Sequence, residues 1–592
     1  MFNYSRRLTF EIHIGAVPLG GNHPIRLQSM TNISTQDIEA CVEQTKRIAD
    51  AGGDYVRLTT QGVKEAENLR EINASLRTQG YLTPLVADVH FNPKVADVAA
   101  LYAEKVRINP GNYSQEWQEI HDHFVPFLNI CKENHTAIRI GVNHGSLSER
   151  IMSHYGDTSE GMVESCMEFL RICKEENFTN IVISIKASNT VVMVKTVRLL
   201  AAVMDKEEMN FPIHLGVTEA GDGEDGRIKS AFGIGALLAD GLGDTIRVSL
   251  SEEPEAEIPV ARKLIDYISL RKNHSYIPAT EAEEFDYLSP SRRKTKAVRN
   301  IGSENLPVVI AFQIDGDGCK EANPSFSPDY IYAGRALPKI SEPGVQYILD
   351  ADVWKGEANT SPAFTHKQLF TVSNYRAELK FLFTSYPALT DEILACLKIH
   401  PEMVVISQSR HLNRLGEHRA LVHQLMRKNL QNPVVFFQHY AENKAEDLQI
   451  KAAADMGALL IDGFCDGICL YNQGTLSSGV TDATAFGILQ AGRVRMSKTE
   501  YISCPGCGRT LFNLQDTILR VKAVTSYLKG LKIGIMGCIV NGVGEMADAD
   551  YGYVGAGRGK INLYKGKECV EKNIPEEKAA ERLVELIKRQ YP

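Results

Sequence analysis

One alternation constrains the fold more than any other feature. Between about residues 20 and 270, eight short β-branched runs are separated by longer stretches with apolar residues at helical spacing. The runs are PIRLQSM, YVRLTT, LVADVH, KVRINP, AIRIGVN, IVISIKAS, IHLGVTEAG and TIRVSLS. Eight β–α units in roughly 250 residues predict a closed (β/α)8 barrel, with an open doubly wound sheet as the alternative.

A basic residue follows Val or Ile inside five of these runs: Arg57, Arg107, Arg139, Lys186 and Arg247. Helices cover the outside of such a barrel, so a strand offers neither face to open water. Buried charges need partners, and the C-terminal mouth is where a ligand can be one. Asp88, His90, Asn109, Asn143, Thr218, Glu219 and Ser249 stand towards the same strand ends. Five cations there predict a multiply charged anion, most simply a phosphate or diphosphate. The competing reading is internal ion pairing with Asp88 and Glu219. Arg26 lies early in its strand and is assigned to the far end.

The rest of the 592 residues exceeds one core. Residues 1–270 are read as the barrel domain, 271–482 as a second α/β domain, a partial barrel, and 483–592 as a C-terminal α+β domain. Strands of the middle domain are expected at LPVVIAF, VQYILDAD, ELKFLFTS, MVVISQS, PVVFFQHY and GALLIDGF. In the last section TLFNLQDTILRVKAVTSYLKG and EEKAAERLVELIKRQ read as helices, and LKIGIMG as a strand.

The net charge of −8 argues against a general nucleic-acid binder, so any anion site is local. No apolar run reaches the ~18 residues of a membrane span, and the N-terminus lacks a leader pattern, so a cytoplasmic location is expected. Twelve cysteines are too sparse for a disulfide scaffold. Cys41, Cys131, Cys396 and Cys569 read as small core residues, and so do Cys465 and Cys469 in CDGIC. Two motifs fail on inspection. GDGEDG (221–226) matches a dinucleotide fingerprint, but three carboxylates would repel a pyrophosphate, and it reads as a barrel loop. DGDGCK (315–320) starts like a calcium loop but puts Cys319 and Lys320 at wrong positions.

Cys504 and Cys507 stand in C-x-x-C spacing, with Cys538 next in GCIVNGVGE. One reading is structural zinc with Cys569 as fourth ligand. The other is an iron–sulfur cluster on three thiolates, its remaining iron taking a weaker ligand such as Glu545. A carboxylate gives way to a substrate oxygen more readily than a thiolate does, so that site would be catalytic.

Taken together, QSMTN, DVHF, RINPGN, RIGVNHGSL, VTEAG, IRVSLS, ISCPGCGRT and GCIVNGVGE resemble the 4-hydroxy-3-methylbut-2-enyl diphosphate synthase family of the methylerythritol phosphate route, in its larger, plant-like form. The resemblance covers the barrel and the C-terminal section. It implies one 4Fe-4S cluster on Cys504, Cys507, Cys538 and Glu545. It implies a cyclic diphosphate substrate held by Arg57, Arg107, Arg139, Asn143, Lys186 and Arg247, among Asp88, His90, Thr218, Glu219 and Ser249. It implies reductive ring opening and dehydration, with ferredoxin or flavodoxin as electron donor, and a homodimer; Glu219 is the candidate for delivering a proton to the leaving oxygen or for binding that oxygen's hydrogen. One departure is Val543, where the family's glutamate loop has proline; a less rigid loop is expected. The rivals are a zinc-stabilised barrel enzyme on another phosphorylated substrate and a non-catalytic iron–sulfur carrier.

Overall fold

The structure is a computed structural model and describes residues 1–89, 92–113, 117–313, 326–338 and 344–589, without the side chains of Trp117, Val540 and Asn541. His90 and the 315–320 motif lie outside the described residues. The chain forms two compact units: Arg6–Ile265 with Lys498–Pro592, and Met1–Ser5 with Asp266–Ser497.

The first unit contains all eight expected strands: Arg26–Met30, Tyr55–Thr59, Leu85–Asp88, Lys105–Ile108, Ala137–Asn143, Ile181–Lys186, His214–Leu215 and Thr245–Ile246. They are parallel, and the last pairs with the first through Thr245 and Arg26. A parallel bridge between Ile183 and Ile213 closes the ring. A hairpin of Ile12–Ile14 and Val17–Leu19 plugs the N-terminal end against Tyr55, Val86, Ala137 and Val182. Because strand side chains alternate, residues two and four positions beyond this plug point into the same interior. Higher up, Lys105 donates to Gln28 Oε1 at 3.3 Å and lies 4.5 Å over the Tyr55 ring. Arg26 pairs with Asp54 at 3.2 Å, as its early position in the strand predicts.

The C-terminal part of this unit is a five-stranded sheet in the order Glu500–Ser503, Lys532–Met536, Tyr551–Gly557, Lys560–Lys565, Glu568–Pro575. The first three strands are parallel and the last two join antiparallel. Odd positions such as Tyr501, Ile533 and Ile535 pack with helices Leu514–Thr525 and Glu576–Lys588. Ile502, Met536 and Val554 face the other way, onto Met546.

The second unit is a complete barrel, not a partial one. Eight parallel strands close it: Val308–Phe312, Tyr330–Gly334, Gln346–Asp350, Thr360–Thr365, Lys380–Thr384, Met403–Gln408, Val434–Tyr440 and Gly467–Asn472. Five of the six expected strands form. GALLIDGF instead ends the helix Ala445–Ile461, which is buried on nearly every side. A short apolar run cannot distinguish a buried strand from a buried helix. The strands missed are YIYAG, TSPAFT with its proline, and GICLYN. The expected junction at 482/483 falls inside helix Ser478–Ala491, and this unit runs to Ser497. Its mouth is filled by aromatic rings: Phe312 lies 4.5 Å from Tyr471 and 4.7 Å from Tyr332. Cys465 and Cys469 are buried, and burial pushes the Cys465 thiol up to about 12, in keeping with structural thiols.

Among the described residues no helix is long and apolar enough to cross a membrane.

Candidate active site

Strand alternation brings the expected polar residues to one cavity at the mouth of the first barrel. Arg57, Asp88, Arg107, Arg139, Asn143, Lys186, Thr218, Glu219, Arg247 and Ser249 line it. Cys504, Cys507, Cys538 and Glu545 of the same chain form its opposite wall. Cys569 does not contribute: it lies on the edge strand and its thiol donates to Glu571 O at 3.7 Å.

The cations are unequally compensated. Arg107 pairs with Asp88 at 3.2 Å, and Arg57 stands 3.9 Å from the same carboxylate. Arg247 is gripped by both oxygens of Glu257, at 3.0 and 2.9 Å. Glu257 escaped the sequence reading; it opens the helix that follows the eighth strand, a place where only its position could have marked it. For Arg139 and Lys186 no carboxylate lies within ion-pair reach among the described residues, and Arg139 Nε and Nη1 have no hydrogen-bond partner. Burial, then the neighbouring arginines, holds both side chains well below their usual range. Internal ion pairing therefore accounts for some of the cations and leaves these two without a carboxylate partner among the described residues.

Glu219 has φ +49°, a strained conformation for a residue other than glycine. Its Oε2 is buried without a hydrogen-bond partner. Burial first, and then the charge of Glu545, raises its carboxyl well above the ordinary range. Glu545 accepts a hydrogen bond from Asn143 Nδ2 at 2.9 Å, and its backbone carbonyl accepts one from Ser188 at 3.2 Å.

The cysteine side is anchored to the barrel. A parallel bridge pairs Ala220 with Ser503, and Ser251 Oγ donates to Cys504 O at 2.9 Å. Lys229 and Glu500 form a buried ion pair at 2.9 Å. The carboxylates of GDGEDG find their partners here: Lys498 meets Asp225 at 2.6 Å and Glu224 at 3.3 Å, and Lys522 meets Asp222. Gly145 and Gly544 touch backbone to backbone; a Cβ on Gly145, at φ +79°, would sit 2.5 Å from Gly544 O.

The glutamate segment is a short helix, Ile539–Glu545, and not an open loop. Val543 packs against the cluster of Ile502, Met536, Met546 and Val554, so packing holds the position where proline would fix φ. Three sulfurs and one carboxylate line one cavity wall, the donor types a thiophilic group takes, though among the described residues no three such groups stand close enough to hold a single metal ion. The Gly537 N–H also donates to Cys504 Sγ at 3.2 Å, a contact that would support a sulfur ligand.

A parallel barrel with a cationic mouth, roofed by a domain bearing three cysteines and a glutamate, is the architecture of a barrel enzyme with its cavity between a charged wall and a sulfur-bearing one. Residues 9–262 match the GcpE TIM-barrel domain and residues 500–589 the GcpE protein C-terminal domain, and the chain belongs to this family. A relative from Bacteroides thetaiotaomicron is 76% identical over 99% of this chain and 98% of its own length. Others from Porphyromonas gingivalis and Leptospira interrogans are 49% and 39% identical, each over 99% of this chain and 98% and 97% of their own. All three are named 4-hydroxy-3-methylbut-2-en-1-yl diphosphate synthase (flavodoxin).

Proposed function

We propose that this chain is a 4-hydroxy-3-methylbut-2-en-1-yl diphosphate synthase: it reduces 2-C-methyl-D-erythritol 2,4-cyclodiphosphate to (E)-4-hydroxy-3-methylbut-2-enyl diphosphate, drawing its electrons from flavodoxin. Ferredoxin is the alternative donor. The observation that carries this reading is the convergence of the buried barrel cations and the three cysteines with Glu545 on one cavity.

In the reaction the C2–O bond of the ring opens and frees the diphosphate end. Two electrons enter, and the C3 oxygen leaves with a proton as water. Cys504, Cys507, Cys538 and Glu545 would hold a 4Fe-4S cluster, which when bound supplies single electrons and a Lewis-acidic iron. Arg139 and Lys186 would take the diphosphate charge that Asp88 and Glu257 leave unbalanced, and Arg57, Arg107 and Arg247 would complete the cradle. This is positioning and electrostatic stabilisation in a water-poor cavity. Asn143 orients the Glu545 carboxylate. Glu219 faces the same cavity and would deliver the proton to the leaving oxygen. Thr218 and Ser249 line the same cavity and would face the carbon skeleton. Both walls come from one chain, so assembly into the expected homodimer would not be needed to complete the site.

The test is anaerobic incubation of the purified protein with the cyclic diphosphate and an artificial one-electron donor, with the product identified by NMR. The linear enyl diphosphate is expected. Protein that contains iron and sulfide yet makes none would overturn the reading, and zinc without sulfide would favour the zinc-stabilised rival. Cys538→Ser should abolish turnover and leave the barrel's circular dichroism unchanged; full activity would exclude the cluster assignment.

A further inference from the structure

We propose that Arg509, on the cysteine turn, is a substrate-binding residue that the C-terminal domain delivers to the diphosphate. The inference rests on reading the barrel mouth as a diphosphate site. Arg509 lines the same cavity, and its side chain is 9% exposed. It is the cation in that wall that does not come from a barrel strand. Its Nη2 lies 3.6 Å from Asp88 Oδ2, an ion pair too long for a hydrogen bond. Asp88 also faces Arg107 and Arg57. One carboxylate thus meets three guanidiniums from two strands and a distant turn, and Arg509 also faces Cys507, Cys538 and Glu545. An anion with several oxygens can share these guanidiniums with Asp88, and a guanidinium fork is the group that grips such oxygens in pairs.

The turn fixes the direction of Arg509. The Thr510 N–H donates to Cys507 O at 2.9 Å, and the Cys507 N–H donates to Thr510 Oγ1 at 3.0 Å. The turn that presents the Cys507 thiol therefore presents this guanidinium too. A diphosphate seated among Arg57, Arg107 and Arg509 links the barrel to the cysteine wall through its own charge. Substrate binding and correct placement of the sulfur ligands become one event.

The experiment is calorimetric titration of anaerobic, iron-loaded protein with inorganic pyrophosphate. Arg509→Gln should bind it roughly 10- to 100-fold more weakly than the unaltered chain. Arg509→Lys, which keeps the charge, should recover part of the loss. Iron and sulfide content should be unchanged; if Arg509→Gln holds less iron, both proteins are compared at matched iron. Lys186→Ala is the control. If Lys186→Ala binds weakly and Arg509→Gln binds as the unaltered chain does, the role of Arg509 is wrong and the diphosphate site stands. If neither substitution weakens binding, the reading of the mouth falls with it.

Discussion

Arg139 and Lys186 are buried at a cost that no carboxylate within ion-pair reach offsets among the described residues. Each is buried, and Gly216 lies so close to Lys186 that a Cβ there would be 2.9 Å from Nζ. Removing one such ammonium should relieve repulsion in the empty barrel and weaken the bound state. Lys186→Ala is therefore expected to raise KM for the cyclic diphosphate at least ~10-fold while leaving the melting temperature equal or higher. The salt dependence of KM should also become shallower, because one attraction over about a Debye length is gone. Identical kinetics in low and high salt for both proteins would contradict this placement. These residues were legible in the sequence because a charge inside a β-branched run has few explanations. Glu257 and Arg509 were not, since each sits where a charge is ordinary: a helix's first turn and a surface-like turn.

Elements meet where side chains have been dispensed with or paired over long separations. The contact between Gly145 and Gly544 joins segments about four hundred residues apart, next to the Asn143–Glu545 hydrogen bond. Gly145→Ala should push the glutamate helix off the barrel. The expected result is a kcat/KM lower by at least ~10-fold, because small misplacements cost heavily at a preorganised site. Unaltered far-ultraviolet circular dichroism would show that the barrel is intact; wild-type kcat/KM would mean that the backbones do not need this approach. The acidic stretch 221–226 teaches a related lesson. Its charges exclude a phosphate and so reveal what it does not bind. Its actual partners, Lys498 and Lys522, lie some 270 to 300 residues onward, beyond the reach of any local pattern.

At the scale of the whole molecule, two barrels of the same strand count are used differently. One keeps charge at its mouth. The other lines its mouth with rings and pairs several polar groups between strands and helices. His418 illustrates this: its Nδ1–H donates to Ser407 Oγ and its Nε2 accepts from the Gln438 amide, both at 2.7 Å. Burial, with a smaller contribution from Arg414, pushes it down to about 3. Burial likewise takes His423 down to about 4. Folded-state values below the ordinary 6.5 mean that the unfolded chain binds protons first. Each histidine therefore contributes fully above pH ~6.5, and that stability is lost as pH falls towards the folded-state value, by about 1.4 kcal/mol per pH unit. Calorimetry from pH 7 to pH 4.5 should show the second barrel's transition falling, and falling less in His418→Gln. Equal slopes would show that His418 takes up protons alike in the folded and unfolded chain. The second barrel was half legible for a related reason. Strands buried on both sides lose their alternation, and those with glycine, proline or tyrosine lose their β-branched signature too.

The first unit is interrupted: its barrel ends at Ile265 and its remaining part begins at Lys498. During translation the barrel strands are all made roughly 260 residues before any cysteine of the site, a delay of about 10–50 s at ordinary elongation rates. For that time the barrel's cations are made without the wall that faces them. The roof is the last piece to be made, after a second barrel has been made in between. Cys504, Cys507, Cys538 and Glu545 are therefore made last, and a group that needs all four can join only a chain whose barrel sequence is already complete.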